Sequence, residues 1–290
     1  MNKETVLSLT GFFQKRDNLA KIMLLLPSLG YLSFLFFYPL LRFFALSFKP
    51  YFTFENYVHF FSTSVYVQVL VRTFLISFEV TFLSFLLGYP IACLLARVSP
   101  GTRNILLIFI LLPYWTSILV RSFAWMIVLG AKGVVNNFLI SMGVIGAPLK
   151  LLFTNFAVVV GMVHVLLPIM VLPIYSVVIG IDSALIKASL NLGASPIKTF
   201  VKVFFPLSLP GVWSGSLLVF TIALGFFITP SLLGGRESTM LSMLIEEQAE
   251  YILNLNYAAT ISIILMVCTL IVVFFYNRFI GMKKIVSGAL

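Results

Sequence analysis

Long apolar runs, separated by short polar and mostly basic stretches, set the pattern of this chain. An apolar run of more than about 18 residues is long enough to cross a bilayer as a helix. Six such spans fit, near 21–47, 67–96, 104–129, 154–180, 208–232 and 257–279. They predict an all-α integral membrane protein: a polar tail over 1–20, a six-span domain over 21–279 with a polar loop at 181–207, and a second tail over 280–290. The first span is too long for a signal-peptide core and no small-residue cleavage site follows it, so it reads as a true span. In the first tail Val6, Leu7, Leu9, Phe12 and Phe13 give a weakly apolar side suited to the membrane surface.

The loop over 181–207 carries its own local pattern. Leu185, Ala188, Ser189 and Leu192 recur at helical spacing and predict one narrow face of a short helix. Asp182 or Ser183 can cap its start. Gly193 is the expected stop, since glycine takes the left-handed turn freely. Ser195 then caps a second helix with Pro196 at its first position, and Pro206 and Pro210-Gly211 are expected to end it before span five. A helix with a narrow small-sided face can enter a groove on another protein; an interfacial connector that binds nothing has the same periodicity.

Composition and charge sharpen the picture. Hydrophobic residues make up 61% and charged residues 10% of the 290 positions, against about 25% charged in soluble domains. The net charge of +10 sits mostly at span ends, not in a basic patch interleaved with aromatics, which argues against nucleic acid as a partner. Lys3, Lys15, Arg16, Lys21, Arg97, Arg103, Lys187, Lys198, Lys202, Arg278, Lys283 and Lys284 fall on one side of a six-span topology. By the positive-inside rule that side is the cytoplasm, with both termini on it. Five of the nine acids, Glu55, Glu237, Glu246, Glu247 and Glu250, fall on the other side. Cys93 and Cys268 lie inside spans as small hydrophobes, with no disulfide framework or metal spacing.

The same loop resembles a named element. In permease subunits of bacterial binding-protein-dependent ABC importers, a cytoplasmic loop reads Glu-Ala-Ala, three residues, Gly, nine residues, an aliphatic residue, one more, Leu, Pro. The matching residues are Lys187-Ala188-Ser189, Gly193, Val203, Phe205 and Pro206, with Lys for Glu, Ser for the second Ala and Phe for Leu. Lysine reverses the charge that could pair with the ATPase, so either the partner compensates or the loop docks through its apolar face. GYPIACLLAR (Gly88 to Arg97), PYWTSILVRSFAWMIVLG (Pro113 to Gly130) and GFFITPSLLGG (Gly225 to Gly235) are similar to the spermidine/putrescine-type subfamily. The resemblance implies the type I importer membrane fold, in the inner membrane of a bacterium. It also implies a heterodimer with a related permease, an ATPase dimer resting on Leu185, Lys187, Ala188, Ser189, Leu192, Gly193 and Pro206, and an extracytoplasmic solute-binding protein. Polyamines lead as cargo; opine-like compounds, aminoalkylphosphonates and ferric iron are carried by related subfamilies. No phosphate-binding G-x-x-x-x-G-K-[ST] loop is present, so ATP is expected to be used by the partner, with no cofactor held by this chain.

Four residues are candidates for the translocation path: Glu79, Arg121, Trp125 and Pro230. A carboxylate deep in an apolar span costs about 2.5–3.5 kcal/mol on insertion scales. Glu79 therefore either balances a cationic cargo or bonds to a neighbouring helix. Arg72 and Arg121, placed near outer span ends, either snorkel or line an outer vestibule. His164 reads as a polar packing residue. The acids of 236–255 either help seat a binding protein and attract cations or form a solvated face. Pro113, Pro168, Pro173 and Pro230 break spans as a transport path would, or serve ordinary packing. A membrane enzyme would need convergent catalytic groups that this chain lacks. A self-sufficient channel or secondary carrier is the remaining alternative; carriers commonly show matched halves, and 1–145 and 146–290 show none.

Overall fold

The computed structural model describes residues 3–48 and 53–287, with side chains over 25–48 and 53–278. The polar tail expected over 1–20 and the far end of 280–290 therefore lie outside the described side chains. Thirteen α-helices follow in order among the described residues: α1 (Lys3–Ser47), α2 (Glu55–Ser62), α3 (Ser64–Arg97), α4 (Pro100–Trp115), α5 (Ile118–Leu129), α6 (Val134–Ser141), α7 (Asn155–Val178), α8 (Ser183–Asn191), α9 (Pro196–Thr199), α10 (Phe205–Leu224), α11 (Ile228–Leu233), α12 (Leu241–Glu246) and α13 (Leu255–Ser287). No strand occurs among them. Six helical stretches are long and apolar enough to cross a membrane, as the sequence pattern predicts.

The core is the packing of α3, α7 and α10 on one another. Ile76, Val80, Leu166, Met170, Ile174 and Val219 are fully or almost fully buried there. Between helices in a bilayer, close approach through small residues replaces the hydrophobic drive available in water. Gly211 and Gly215 supply it, laying α10 against the backbone of Pro173 and of Met170 on α7. Two buried hydroxyls of α3 are satisfied within their own helix: Thr73 donates to the Val69 carbonyl at 2.7 Å and Ser77 to the Thr73 carbonyl at 2.8 Å. Tyr89 and Ser208, 2.9 Å apart, tie α3 to α10. Helix α1 packs chiefly on α13, and nearly all its described apolar side chains are exposed, as suits contact with lipid.

Two span boundaries differ from expectation. The stretch expected as span three, 104–129, is divided. The backbone is extended at Thr116, and α5 starts afresh after Ser117. The helix closes on the Pro113 carbonyl, which accepts both the Thr116 N–H at 3.2 Å and the Thr116 hydroxyl at 2.7 Å in a tightened last turn. The third stretch long enough to span accordingly runs over Ile118–Ser141. Span five differs in the opposite way, because Pro206 does not stop the helix. From Pro196 to Leu224 the chain stays helical, with a wide turn over Phe200–Phe204 in which the Phe205 N–H reaches back five residues to Phe200. Pro206 follows directly as the second residue of α10, inside this continuous helical stretch; it offers no N–H, and the wide turn ahead of it has already displaced the usual four-residue bonds. The span ends at Gly225, and 228–233 form the separate α11.

Candidate functional site

The polar loop folds as its sequence dictates. Asp182 Oδ1 accepts from the Ala184 N–H at 2.8 Å and Ser195 Oγ from the Lys198 N–H at 3.3 Å, capping α8 and α9. Gly193 lies at φ +83°. The Ala194 N–H bonds back to the Ser189 carbonyl at 3.2 Å, the six-residue closure of a glycine cap. Leu192 is 88% exposed and Ile197 76%; with Leu185, Ala188 and Val201 they give the loop an apolar surface that none of the described residues covers. Lys187 and Pro206 are exposed as well. Ser189 leaves that face: it is half-buried, with its hydroxyl 3.0 Å from that of buried Thr199, and it joins α8 to α9. Behind the tip, Arg97, Ile186, Leu190, Pro196, Thr199, Phe200 and Phe204 line a hollow of about 190 Å³. The loop therefore shares one side of the bundle with the end of α3 at Arg97.

Depth along the spans follows from that anchor. Glu79 lies 18 residues before Arg97, about 27 Å at 1.5 Å per residue. The hydrocarbon core is about 30 Å thick, so Glu79 stands near the boundary far from the loop, not deep in the bilayer as the sequence suggested. It is exposed, and it accepts a hydrogen bond from Asn155 Nδ2 at 2.9 Å. Asn155 is the first residue of α7 and had no distinguishing signal in the sequence. On the same side, Arg72 Nη1 donates to the Arg236 carbonyl at 2.8 Å and the Leu241 N–H to Thr73 Oγ1 at 2.8 Å, binding the 234–251 segment to α3.

Arg121 is the deeper charge, which reverses the expected order. It stands one turn past the α4–α5 break, within electrostatic reach of Tyr114 and His164. Its Nε and Nη1 are buried without a hydrogen-bond partner. Trp125, one turn on, donates Nε1–H to His164 Nδ1 at 3.2 Å. His164 lies nine residues into α7 from Asn155, about 13.5 Å along the axis. Arg121 and Trp125 thus come together, and Glu79 stands apart from them. Pro230 is buried in α11, which packs against α5 and α7; Ser122 of α5 and Thr229 beside Pro230 lie 3.3 Å apart through their hydroxyls.

Comparison with known proteins fits this architecture. Residues 88–281 match the family described as the binding-protein-dependent transport system inner membrane component. The chain is 36% identical, over 226 residues, to the spermidine/putrescine transport system permease protein PotB of Haemophilus influenzae, covering 78% of this chain and 79% of that one. It is 35% identical over 230 residues to PotB of Escherichia coli strain K12, covering 79% and 83%. Its fold matches a chain of the bacterial alginate ABC transporter, solved in complex with an alginate pentasaccharide-bound periplasmic protein. The TM-score there is 0.74 at 21% identity, over 91% of this chain and 94% of that one. The chain belongs to the binding-protein-dependent inner-membrane transport family. It is a multi-pass permease subunit with the type I ABC importer membrane fold.

Proposed function

We propose that this subunit forms half of the membrane path of an ATP-driven importer for polyamines of the putrescine and spermidine type. The 36% identity to a spermidine/putrescine permease over most of both chains carries the reading of the cargo. In this reading a related second permease completes the path, an ATPase dimer binds the loop side, and a solute-binding protein delivers cargo to the far side. The loop side is the cytoplasm, since it gathers Arg97, Arg103, Lys187, Lys198 and Lys202, and both termini lie there. ATP is hydrolysed by the partner, and this chain contributes no catalytic group.

The exposed tip supports docking through apolar contact. Leu192 and Ile197 offer a compact hydrophobic knob, and Lys187 stands beside it without supplying the acid that the family loop carries. Burying an exposed leucine or isoleucine side chain against a partner is worth about 1.5–3 kcal/mol. Leu192→Asp is therefore expected to leave the six-span fold intact, because the side chain is almost wholly exposed among the described residues, while recovery of the ATPase with the tagged permease in mild detergent falls at least about tenfold, the effect of some 1.4 kcal/mol. Undiminished recovery would place docking elsewhere. Mass spectrometry of the wild-type preparation tests the wider proposal: an ATPase and a second six-span protein are expected, and the ligand of any accompanying binding protein names the cargo. Arg121 and Trp125 are proposed to line the deeper path, where two guanidinium nitrogens, Nε and Nη1, await an acceptor; Pro230 is proposed to shape that wall from behind through α11.

A further inference from the structure

At the far-side mouth of this subunit the acceptors of Glu79 and Asn155 share a single side-chain donor. Glu79 is exposed and accepts one hydrogen bond, from Asn155 Nδ2. Asn155 Oδ1, on the same amide, is buried and has no hydrogen-bond partner. A buried acceptor left unmade is costly, and the exposed Glu79 carboxylate beside it is the part of the pair open to a donor from outside the chain. Two residues earlier Phe153 is held at φ +61°, its N–H bonded to the Leu233 carbonyl at 3.0 Å and its ring 51% exposed. Phenylalanine rarely adopts this backbone conformation, and such strain gathers at binding sites. Exposed Leu75 and Phe82 stand one turn before and one turn after Glu79 on the same face of α3.

A ligand for this group must bring donors, carry positive charge and tolerate an aromatic neighbour. A primary ammonium does all three: it has three N–H donors and no acceptor, it pairs with a carboxylate, and it is attracted to a ring face. A neutral solute would leave the Glu79 charge unmatched, and an anion would be repelled. We propose that Glu79 and Asn155, with Phe153 beside them, receive one terminal ammonium of the incoming solute as it leaves the binding protein. The site rests on the polyamine reading above and adds to it the residues that accept the cation. The competing account is a structural tie, with the Glu79 carboxylate held by the positive end of α7.

Two near-isosteric variants separate these accounts. In Glu79→Gln the side-chain oxygen still accepts from Asn155 Nδ2, but the charge is gone. Asn155→Asp keeps the shape but removes that donor and sets a second carboxylate against Glu79, so it breaks the tie while adding charge for a cation to bridge. The complete transporter, with its ATPase, second permease and binding protein, is placed in liposomes and supplied with radiolabelled putrescine or spermidine. Glu79→Gln is expected to lower uptake about tenfold, the worth of one charge-assisted hydrogen bond, with ATP hydrolysis kept near the wild-type rate. Asn155→Asp is expected to transport at least as well as wild type. Unchanged uptake in Glu79→Gln overturns the site, and so does a parallel loss of uptake, hydrolysis and assembly in both variants, which is the mark of a structural tie. A wild-type complex that hydrolyses ATP with its binding protein yet imports neither polyamine overturns the cargo assignment, and the ammonium site with it.

Discussion

Replacing Gly193 by proline is expected to reduce ATP-driven uptake to background while the membrane-embedded part of the subunit stays folded. Gly193 lies at φ +83°, and the proline ring holds φ near −65°. The chain cannot make the same turn, so α9 must leave α8 in another direction. The substitution also removes the Gly193 N–H bond to the Leu190 carbonyl, 3.0 Å in the native loop, and disturbs the adjoining Ala194-to-Ser189 closure. With the turn lost, the Ser189–Thr199 hydroxyl pair separates, and Leu192 and Ile197 no longer present one surface. Gly193→Ala grades the effect, since a left-handed alanine is strained by about 1–2 kcal/mol but retains its N–H. Uptake driven by ATP, recovery of the ATPase and its hydrolysis rate are measured together. The proline variant should lose the first two, and alanine should fall between it and wild type. Full ATP-driven uptake by Gly193→Pro would refute docking at this loop.

The parts of this molecule that were legible in its sequence are those governed by short-range rules. Spans follow from runs of apolar residues, and the loop helices from Asp182, Gly193, Ser195 and Pro196, each of which acts within four residues of itself. Where the reading failed, the controlling contact was with another part of the chain or with a change of helical register. Pro206 looked like a stop because an isolated proline ends a helix, yet the wide turn at Phe200–Phe204 shifts the bonding register just ahead of it and the helix runs on. Ser189 has the spacing of the exposed face, but Thr199, from the next helix, draws it inward. Glu79 looked deep because it sits near the middle of a long apolar run. Helix α3 has 34 residues, about 51 Å, and so overshoots the bilayer, which moves its midpoint toward one boundary. Asn155 was missed altogether: an asparagine at a helix start reads as a cap, and only the folded arrangement brings it to Glu79.

The largest loss of folded protein is expected from a change that adds only a few carbon atoms, Gly211→Val. A Cβ built at Gly211 meets the Pro173 carbonyl oxygen at 2.8 Å, Ile174 Cα at 2.9 Å and Val177 Cβ at 3.0 Å. The first two are backbone atoms of α7 and cannot rotate away. Pro173 is itself inside α7, so no residue 173 N–H anchors that turn, and the local backbone is already committed to the shape that α10 fits. Relief must come from moving α10 away from α7, which opens the packing of Met170 and Ile174 against α10 and loosens the Tyr89–Ser208 tie one turn away. Overpacking a well-filled core costs about 1–3 kcal/mol for extra methylenes, and a β-branched side chain against rigid backbone belongs at or above the upper end of that range. Without a hydrophobic drive to reassemble helices inside lipid, packing is the term that holds them together. Gly211→Val should therefore leave little monodisperse permease on size exclusion in mild detergent, with a lowered unfolding temperature for what remains. Gly101→Ala is the matched control, because a Cβ there meets nothing within 4 Å and alanine favours the helix by about 1 kcal/mol. Equal yields of the two variants would mean that α7 and α10 do not pack as closely in the membrane as this interface requires.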